Sequence, residues 1–152
     1  MDIIKATTSD IPAIQDIMKR GIWSNQALYR LQVLNDQIMH LTPEYVENLI
    51  SKNHYYIGRI DDTIVAVGGV SIDKRPADRS IINSLFVHPD YHGKGYGKQM
   101  LEFLLTDEWV ISRRFVDVAS SYSAVSFYAS YGFEAKPDET KAHSVMMTKP
   151  VG

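Results

Sequence analysis

The chain contains no cysteine. Disulfides, thiol nucleophiles and cysteine-based metal sites are excluded with it, and no metal cofactor is expected. Long apolar runs are also missing. The longest, Ile64 to Val70, is far too short to cross a bilayer, so no membrane partner is expected. Basic charge is not in surplus: 16 Lys and Arg stand against 18 Asp and Glu, a net charge of −2, and no basic run occurs. A nucleic-acid partner, which needs a basic face, is therefore not expected. The opening Met1-Asp2-Ile3-Ile4-Lys5 lacks the basic and apolar stretches of a secretion signal. By exclusion a cytoplasmic protein is expected. There is no internal repeat and no low-complexity segment.

What is present reads as one domain over residues 1–152, 45% hydrophobic and long enough to bury a real core. Asp2 to Ala6 is a short strand. Thr8-Ser9-Asp10 offers a helix cap, and Ile11, Ile14, Ile17 and Met18 repeat at helical spacing up to about Arg20, with Gly21 as the stop. Ile22 to His40 reads as a second helix with an irregular lead-in. Thr42-Pro43 is a capped helix start with proline at the first helical position, and Tyr45, Val46, Leu49 and Ile50 form its apolar face. Strands Tyr55 to Ile60 and Thr63 to Ile72 join at Asp61-Asp62, and Arg79 to Val87 is a long central strand. A helix from Gly95 to about Glu108 follows, then a strand from Phe115 to Ala119. A helix from Ser123 to Tyr131 ends at Gly132. Phe133 to Ala135 and His143 to Thr148 are the last two strands. The sum is a single mixed α/β sheet with helices on both faces.

The richest stretch is Leu85-Phe86-Val87-His88-Pro89-Asp90-Tyr91-His92-Gly93-Lys94-Gly95-Tyr96-Gly97-Lys98-Gln99-Met100. It reads as strand, proline turn, glycine loop and helix start. Glycine lets backbone approach a ligand closely, and the unpaired N–H groups and dipole of the helix start favour an anion. A phosphate or pyrophosphate held by backbone amides is the expectation. A P-loop does not fit: Gly97-Lys98 is followed by Gln99, and its first glycine would fall on His92. A dinucleotide fingerprint does not fit either, because the third small residue is Lys98. The pattern Gln/Arg-x-x-Gly-x-Gly/Ala fits His92-Gly93-Lys94-Gly95-Tyr96-Gly97 in all but its first residue.

Preceded by Leu-Phe-Val-His-Pro, this pattern resembles the coenzyme A loop of the GNAT-type N-acetyltransferase superfamily. A second block agrees. The strand Val116-Asp117-Val118-Ala119 leads to Ser121, Ala124, Phe127-Tyr128 and Gly132-Phe133. The family there reads strand, Asn or Ser, Ala, Phe/Leu-Tyr and Gly-Phe. The resemblance implies a mostly antiparallel sheet whose two central parallel strands splay apart, with the cofactor in the gap.

It also implies roles. The backbone of Leu85, Phe86 and Val87 would bond the pantetheine arm. The amides of Gly93, Lys94, Gly95, Tyr96, Gly97 and Lys98 would hold the pyrophosphate, with the Lys94 and Lys98 side chains either pairing with phosphate or solvated. His92 stands where Gln or Arg is usual, and if that side chain braces the loop, affinity depends on it. Ser121, where many members carry Asn, would bond pantetheine or cap the next helix. Tyr128 would be the general acid: a thiol titrates near about 8.5 and a tyrosine near about 10, so its hydroxyl can protonate the leaving sulfur. Otherwise it is a packing aromatic. No base is legible. The position that holds Glu in histone-type members falls on Ile81. Asn83 and Ser84 are not bases, and His40, Glu44 and His54 lie in segments that form the acceptor side in relatives. Tyr29, Trp23 and Met39 lie in the region that shapes acceptor pockets.

The function implied is acetyl-CoA-dependent N-acetylation of a primary amine, on a small molecule or peptide, by direct attack in a ternary complex. The absence of cysteine agrees, since no thiol acyl-enzyme can form. The alternative on the same fold is an acyl-CoA-binding sensor without turnover, and a weaker one is a nucleotide-binding protein of another family. A homodimer is a possibility, since dimers are common among relatives, though no segment announces an interface.

Overall fold

The computed structural model describes residues 1–136 and 143–152. Seven strands form one sheet in the order β1-β2-β3-β4-β5-β7-β6. They are β1 (Asp2–Lys5), β2 (His54–Ile60), β3 (Thr63–Ser71), β4 (Arg79–Val87), β5 (Phe115–Ser120), β6 (Glu134–Ala135) and β7 (Val145–Pro150). Every neighbouring pair is antiparallel except β4 and β5, which run parallel. Before β2 lie α1 (Ile11–Trp23), α2 (Leu31–Met39) and α3 (Pro43–Lys52). Between β4 and β5 lie α4 (Tyr96–Leu104) and α5 (Glu108–Ile111), and α6 (Val125–Ala129) follows β5.

Two apolar cores form. Ile14, Ile17 and Met18 of α1, Leu34 of α2 and Val46 and Leu49 of α3 pack on Tyr55, Ile57 and Val67. Met100, Leu101 and Leu104 of α4 and Val110 of α5 pack with Val70, Ile82, Val116 and Val118. The heptad-like spacing of each helix's apolar residues gives it one face to bury, and the sheet offers the partner surface. Thr42 caps α3 as its sequence suggests, its hydroxyl accepting from the Tyr45 N–H at 3.1 Å.

Several boundaries differ from the sequence reading. Gly21 does not end α1, which continues to Trp23. It lies directly against β4: a Cβ there would sit 2.4 Å from Cδ1 of Phe86. Gly21→Val is expected to destabilise the fold by about 1–3 kcal/mol through overpacking, despite valine's better helix propensity. A shift of the urea midpoint to lower concentration checks this; an unchanged midpoint would mean that the ring swings aside freely.

The helix expected from Gly95 to Glu108 is two. Asp107 interrupts it with extended backbone (φ −60°, ψ 143°) and caps α5 by accepting from the Trp109 N–H at 2.9 Å. The same buried carboxylate accepts from Tyr56 Oη at 2.8 Å and pairs with His54 Nδ1 at 2.9 Å, so it is fixed from three sides. The helix expected at Ser123 begins as a 3₁₀ turn, Tyr122–Ala124, and is regular only over Val125–Ala129. It ends at Ala129 rather than Tyr131, with Ser130 as its C-cap, and Gly132 (φ +91°) closes the turn that follows.

Candidate active site

The site begins with an irregularity in β4. Opposite Val67 stands Phe86, but opposite Gly69 stands Asn83, so Ser84 and Leu85 together face Gly68. This is a β-bulge, which bends the strand and sharpens its twist. Ser84 sits at φ +51°, a conformation that costs a non-glycine residue about 1–3 kcal/mol. Three hydrogen bonds hold it there. Tyr55 Oη donates to the Ser84 carbonyl (2.9 Å), Ser84 Oγ donates to Asn83 Oδ1 (2.8 Å), and Asn83 Nδ2 donates to Ser71 Oγ (3.0 Å).

Just before the bulge, the β4–β5 ladder stops. The strands pair over Arg79–Ile82 and Phe115–Val118 and no further. The lower part is pinned by the buried Asp117 carboxylate, which accepts from Arg75 and Arg79. Above it the strands part. A cavity of about 280 Å³ fills the gap, with Leu85, Phe86 and Val87 on one wall and Ala119 and Ser121 on the other. His88 donates its N–H to the Val65 carbonyl on β3 (2.8 Å). By the alternation of an antiparallel strand, the backbone of Phe86 also faces β3, while Leu85 and Val87 turn theirs toward the gap. The Phe86 ring lies against Gly21 of α1.

One end of the gap opens into a cavity of about 580 Å³ beneath the glycine loop, bounded by His92, Gly93, Gly95, Tyr96, Gly97 and Lys98. Gly93 (φ +77°) and Gly95 (φ +83°) adopt backbone that L side chains rarely accept. Gly95 is the N-cap of α4 and offers no side chain. The first bond of the helix is Gln99 N–H to the Gly95 carbonyl (3.1 Å), which leaves the N–H groups of Tyr96, Gly97 and Lys98 without helical partners. His92 Nε2 donates to the Val87 carbonyl (2.9 Å), so this side chain ties loop to strand. Lys94 lies outside the cavity wall, its ammonium 5.7 Å from the centroid of Tyr91.

Tyr128 lines both cavities and is 6% exposed. Its ring packs edge-to-face on Phe127 (5.1 Å) and Phe133 (5.6 Å). Burial raises its hydroxyl well above the ordinary tyrosine range, so it stays protonated at neutral pH. Tyr55 is raised in the same direction, chiefly by burial, and Tyr56 by burial and then by its bond to Asp107. Unfolding frees all three to ionise near about 10. Their raised folded values therefore contribute stability below that pH which is lost as pH rises through and above it. The denaturation midpoint is expected to fall steeply above about pH 10; a flat midpoint up to pH 11 would contradict it.

At the other end the gap meets a third cavity, of about 360 Å³, against α1, α2 and α3. Ser84, Phe86, Ala119 and Ser121 line both, so the two cavities adjoin at the split in the sheet. Ser121 belongs to this inner part, its Oγ 3.2 Å from Ser123 Oγ. His40, Tyr29 and Tyr45 face the third cavity, whereas Trp23 and Met39 (76% exposed) do not line it. His54 stands apart, stacked on Trp109 at 3.4 Å between ring centroids, and Glu44 is exposed on the first turn of α3. Asn25, Tyr91, Ser123 and Phe127 also line the first two cavities. The sequence carries no periodic signal for Asn25, which lies in a run of turns, while Phe127 was visible only as the neighbour of Tyr128.

The site is thus a split sheet with a glycine loop and unpaired helix amides at its mouth. The acetyltransferase (GNAT) domain profile matches residues 51–135, and the chain belongs to this family of N-acetyltransferases. Solved structures share the fold. The PaiA N-acetyltransferase of Thermoplasma acidophilum, in complex with coenzyme A, superposes with a TM-score of 0.84 at 17% identity, over 98% of each chain. A GCN5-related N-acetyltransferase of Rhodopseudomonas palustris gives 0.82 at 18% identity, over 99% of this chain and 95% of that one. The N-acetylglutamate synthase of Neisseria gonorrhoeae, complexed with coenzyme A and N-acetyl-glutamate, gives 0.77 at 21% identity, over 99% of this chain and 35% of its own. No curated protein sequence matches it. Among the described residues no helix is long and apolar enough to cross a membrane, and no cluster of three metal-ligating side chains occurs.

Proposed function

We propose that the protein transfers the acetyl group of acetyl-CoA to a primary amine of a small molecule or peptide, by direct attack in a ternary complex. The observation that carries this is the row of adjoining cavities along the split between β4 and β5, with Tyr128 on the wall of two of them. The free amides of Tyr96, Gly97 and Lys98 suit a pyrophosphate, and the α4 dipole adds to their pull. Leu85 and Val87 offer backbone to the pantetheine arm, as a missing strand would. A backbone N–H of this strand, aimed into a site with little water, would polarise the thioester carbonyl. The acceptor amine enters from the third cavity and attacks the carbonyl carbon, and the C–S bond breaks. Tyr128 gives its proton to the sulfur. That two similar folds hold coenzyme A supports the choice of cofactor.

Calorimetry with acetyl-CoA, against ATP and NAD, tests the cofactor. Thiol release with 2-phenylethylamine, spermidine, glutamate and an alanine-terminated peptide tests turnover. Saturable binding of acetyl-CoA but not of ATP or NAD, with thiol release from acetyl-CoA in the presence of at least one amine, is expected. Binding without release would make the protein a sensor, and preference for ATP or NAD would overturn both readings.

A further inference from the structure

The site supplies an acid but, so far, nothing to take the proton that the acceptor must lose. The residue at the usual base position, Ile81, has no such chemistry. The third cavity holds two histidines, His40 and His143, and two tyrosines, Tyr29 and Tyr45. The His40 ring is held by a backbone carbonyl. The residue is the C-cap of α2, and its Nδ1 lies 2.6 Å from the carbonyl oxygen of Asp36, one turn back. A carbonyl only accepts, so Nδ1 carries the hydrogen. The neutral ring then has its lone pair on Nε2, the nitrogen at the far side of the ring from that bond. The cavity wall that His40 joins includes Ser84 of the bulge, with Phe86 and Ser121, which are the residues where this cavity meets the gap.

We propose that His40 is the general base, its Nε2 accepting a proton from the acceptor amine; this rests on the acetyltransferase reading above. The protons balance as follows. The acceptor ammonium gives one proton to Nε2 and, through it, to solvent. The freed lone pair forms the C–N bond as the C–S bond breaks. The sulfur takes the Tyr128 proton, and the second nitrogen proton replaces it through water. The groups that share the wall are Tyr45 from α3, Tyr29 from the turn before α2 and His143 ahead of β7, while α1 brings Met18 and Ile22. Asp36 supplies its backbone oxygen and is itself exposed. Removing a general base typically costs 10²–10⁴ in rate.

Two measurements test this on the full chain. In long-range ¹H–¹⁵N spectra of the histidine-labelled protein, His40 should show a protonated Nδ1 and a pyridine-like Nε2; the reverse tautomer overturns the proposal without any need of an acceptor. In kinetics with the fastest amine of the panel and a second amine of different basicity, wild-type kcat/KM should show an acid limb that does not move with the amine. His40→Gln should lose that limb and about 100-fold in kcat, with acetyl-CoA affinity unchanged. Imidazole added to His40→Ala should restore rate, which separates lost chemistry from a lost helix cap. A variant that keeps both rate and limb overturns the role of His40 alone. Wild-type protein that binds acetyl-CoA but releases thiol with no amine overturns the acetyltransferase reading and this one together.

Discussion

Tyr128→Phe is expected to lower kcat by about 10²- to 10³-fold and to leave the acetyl-CoA dissociation constant within about threefold. The ring is nearly buried and packs on Phe127 and Phe133, and phenylalanine keeps both contacts. The hydroxyl makes no hydrogen bond to the described residues, so its loss leaves no stranded partner behind. Stability should therefore change little, and the defect should be chemical. Because burial holds the hydroxyl protonated, it can donate throughout the neutral range and would weaken only at high pH. Stopped-flow thiol release under saturating acetyl-CoA separates this step from product departure. A variant with wild-type kcat would mean that water protonates the sulfur and that Tyr128 only packs.

Gly95→Val is expected to raise the acetyl-CoA dissociation constant by about 100-fold. Forcing a side chain into left-handed backbone costs about 1–2 kcal/mol. Relaxing that strain turns the amides of the first helical turn, and each hydrogen bond to a charged group is worth about 1.5–3 kcal/mol. Together these come to about 3 kcal/mol, at 1.4 kcal/mol for each factor of ten. Nothing lies within 4 Å of a Cβ at Gly95, so steric conflict in the free protein is not the cause. Lys94→Ala and Lys98→Ala should each change affinity no more than about fivefold, as solvated ion pairs do. If the lysines dominate and Gly95→Val binds normally, the loop holds phosphate by side-chain charge rather than by backbone amides. Calorimetric titration of the three variants decides between them.

Local grammar made much of this visible in the chain. Thr42-Pro43 and Asp61-Asp62 punctuate the elements where the structure has them, because a cap and a hairpin turn each act over a few residues. The glycine loop was readable for the same reason. Gly21 was misread because a glycine within a helical pattern has two meanings, a stop or a close approach, and only the distant Phe86 selects the second. Asp107 likewise breaks a helix that its own neighbours would continue, since it answers to His54 and Tyr56, about fifty residues earlier. The bulge at Ser84 had no signal at all. A serine in a β-branched strand predicts regular pairing, and it is Tyr55 and Gly68 on other strands that fix its conformation. His40 was one histidine among several until the fold set Asp36's carbonyl against its ring and Ser84 on the same wall.

The sheet is joined across its middle by only four residue pairs, Arg79–Ile82 with Phe115–Val118. Its two halves are therefore incompletely stitched, and the backbone of Leu85 and the N–H of Val87, whose carbonyl accepts from His92, face a missing neighbour. A pantetheine arm laid in the gap would act as that neighbour, and the co-substrate would then double as a piece of the architecture. Ligand at 100 times its dissociation constant adds about 2.7 kcal/mol to folding stability by mass action alone, a sizeable share of what a domain of this length has. The abundance of the folded protein would then follow the acyl-CoA supply, and a cell short of acetyl groups would lose part of the enzyme that spends them.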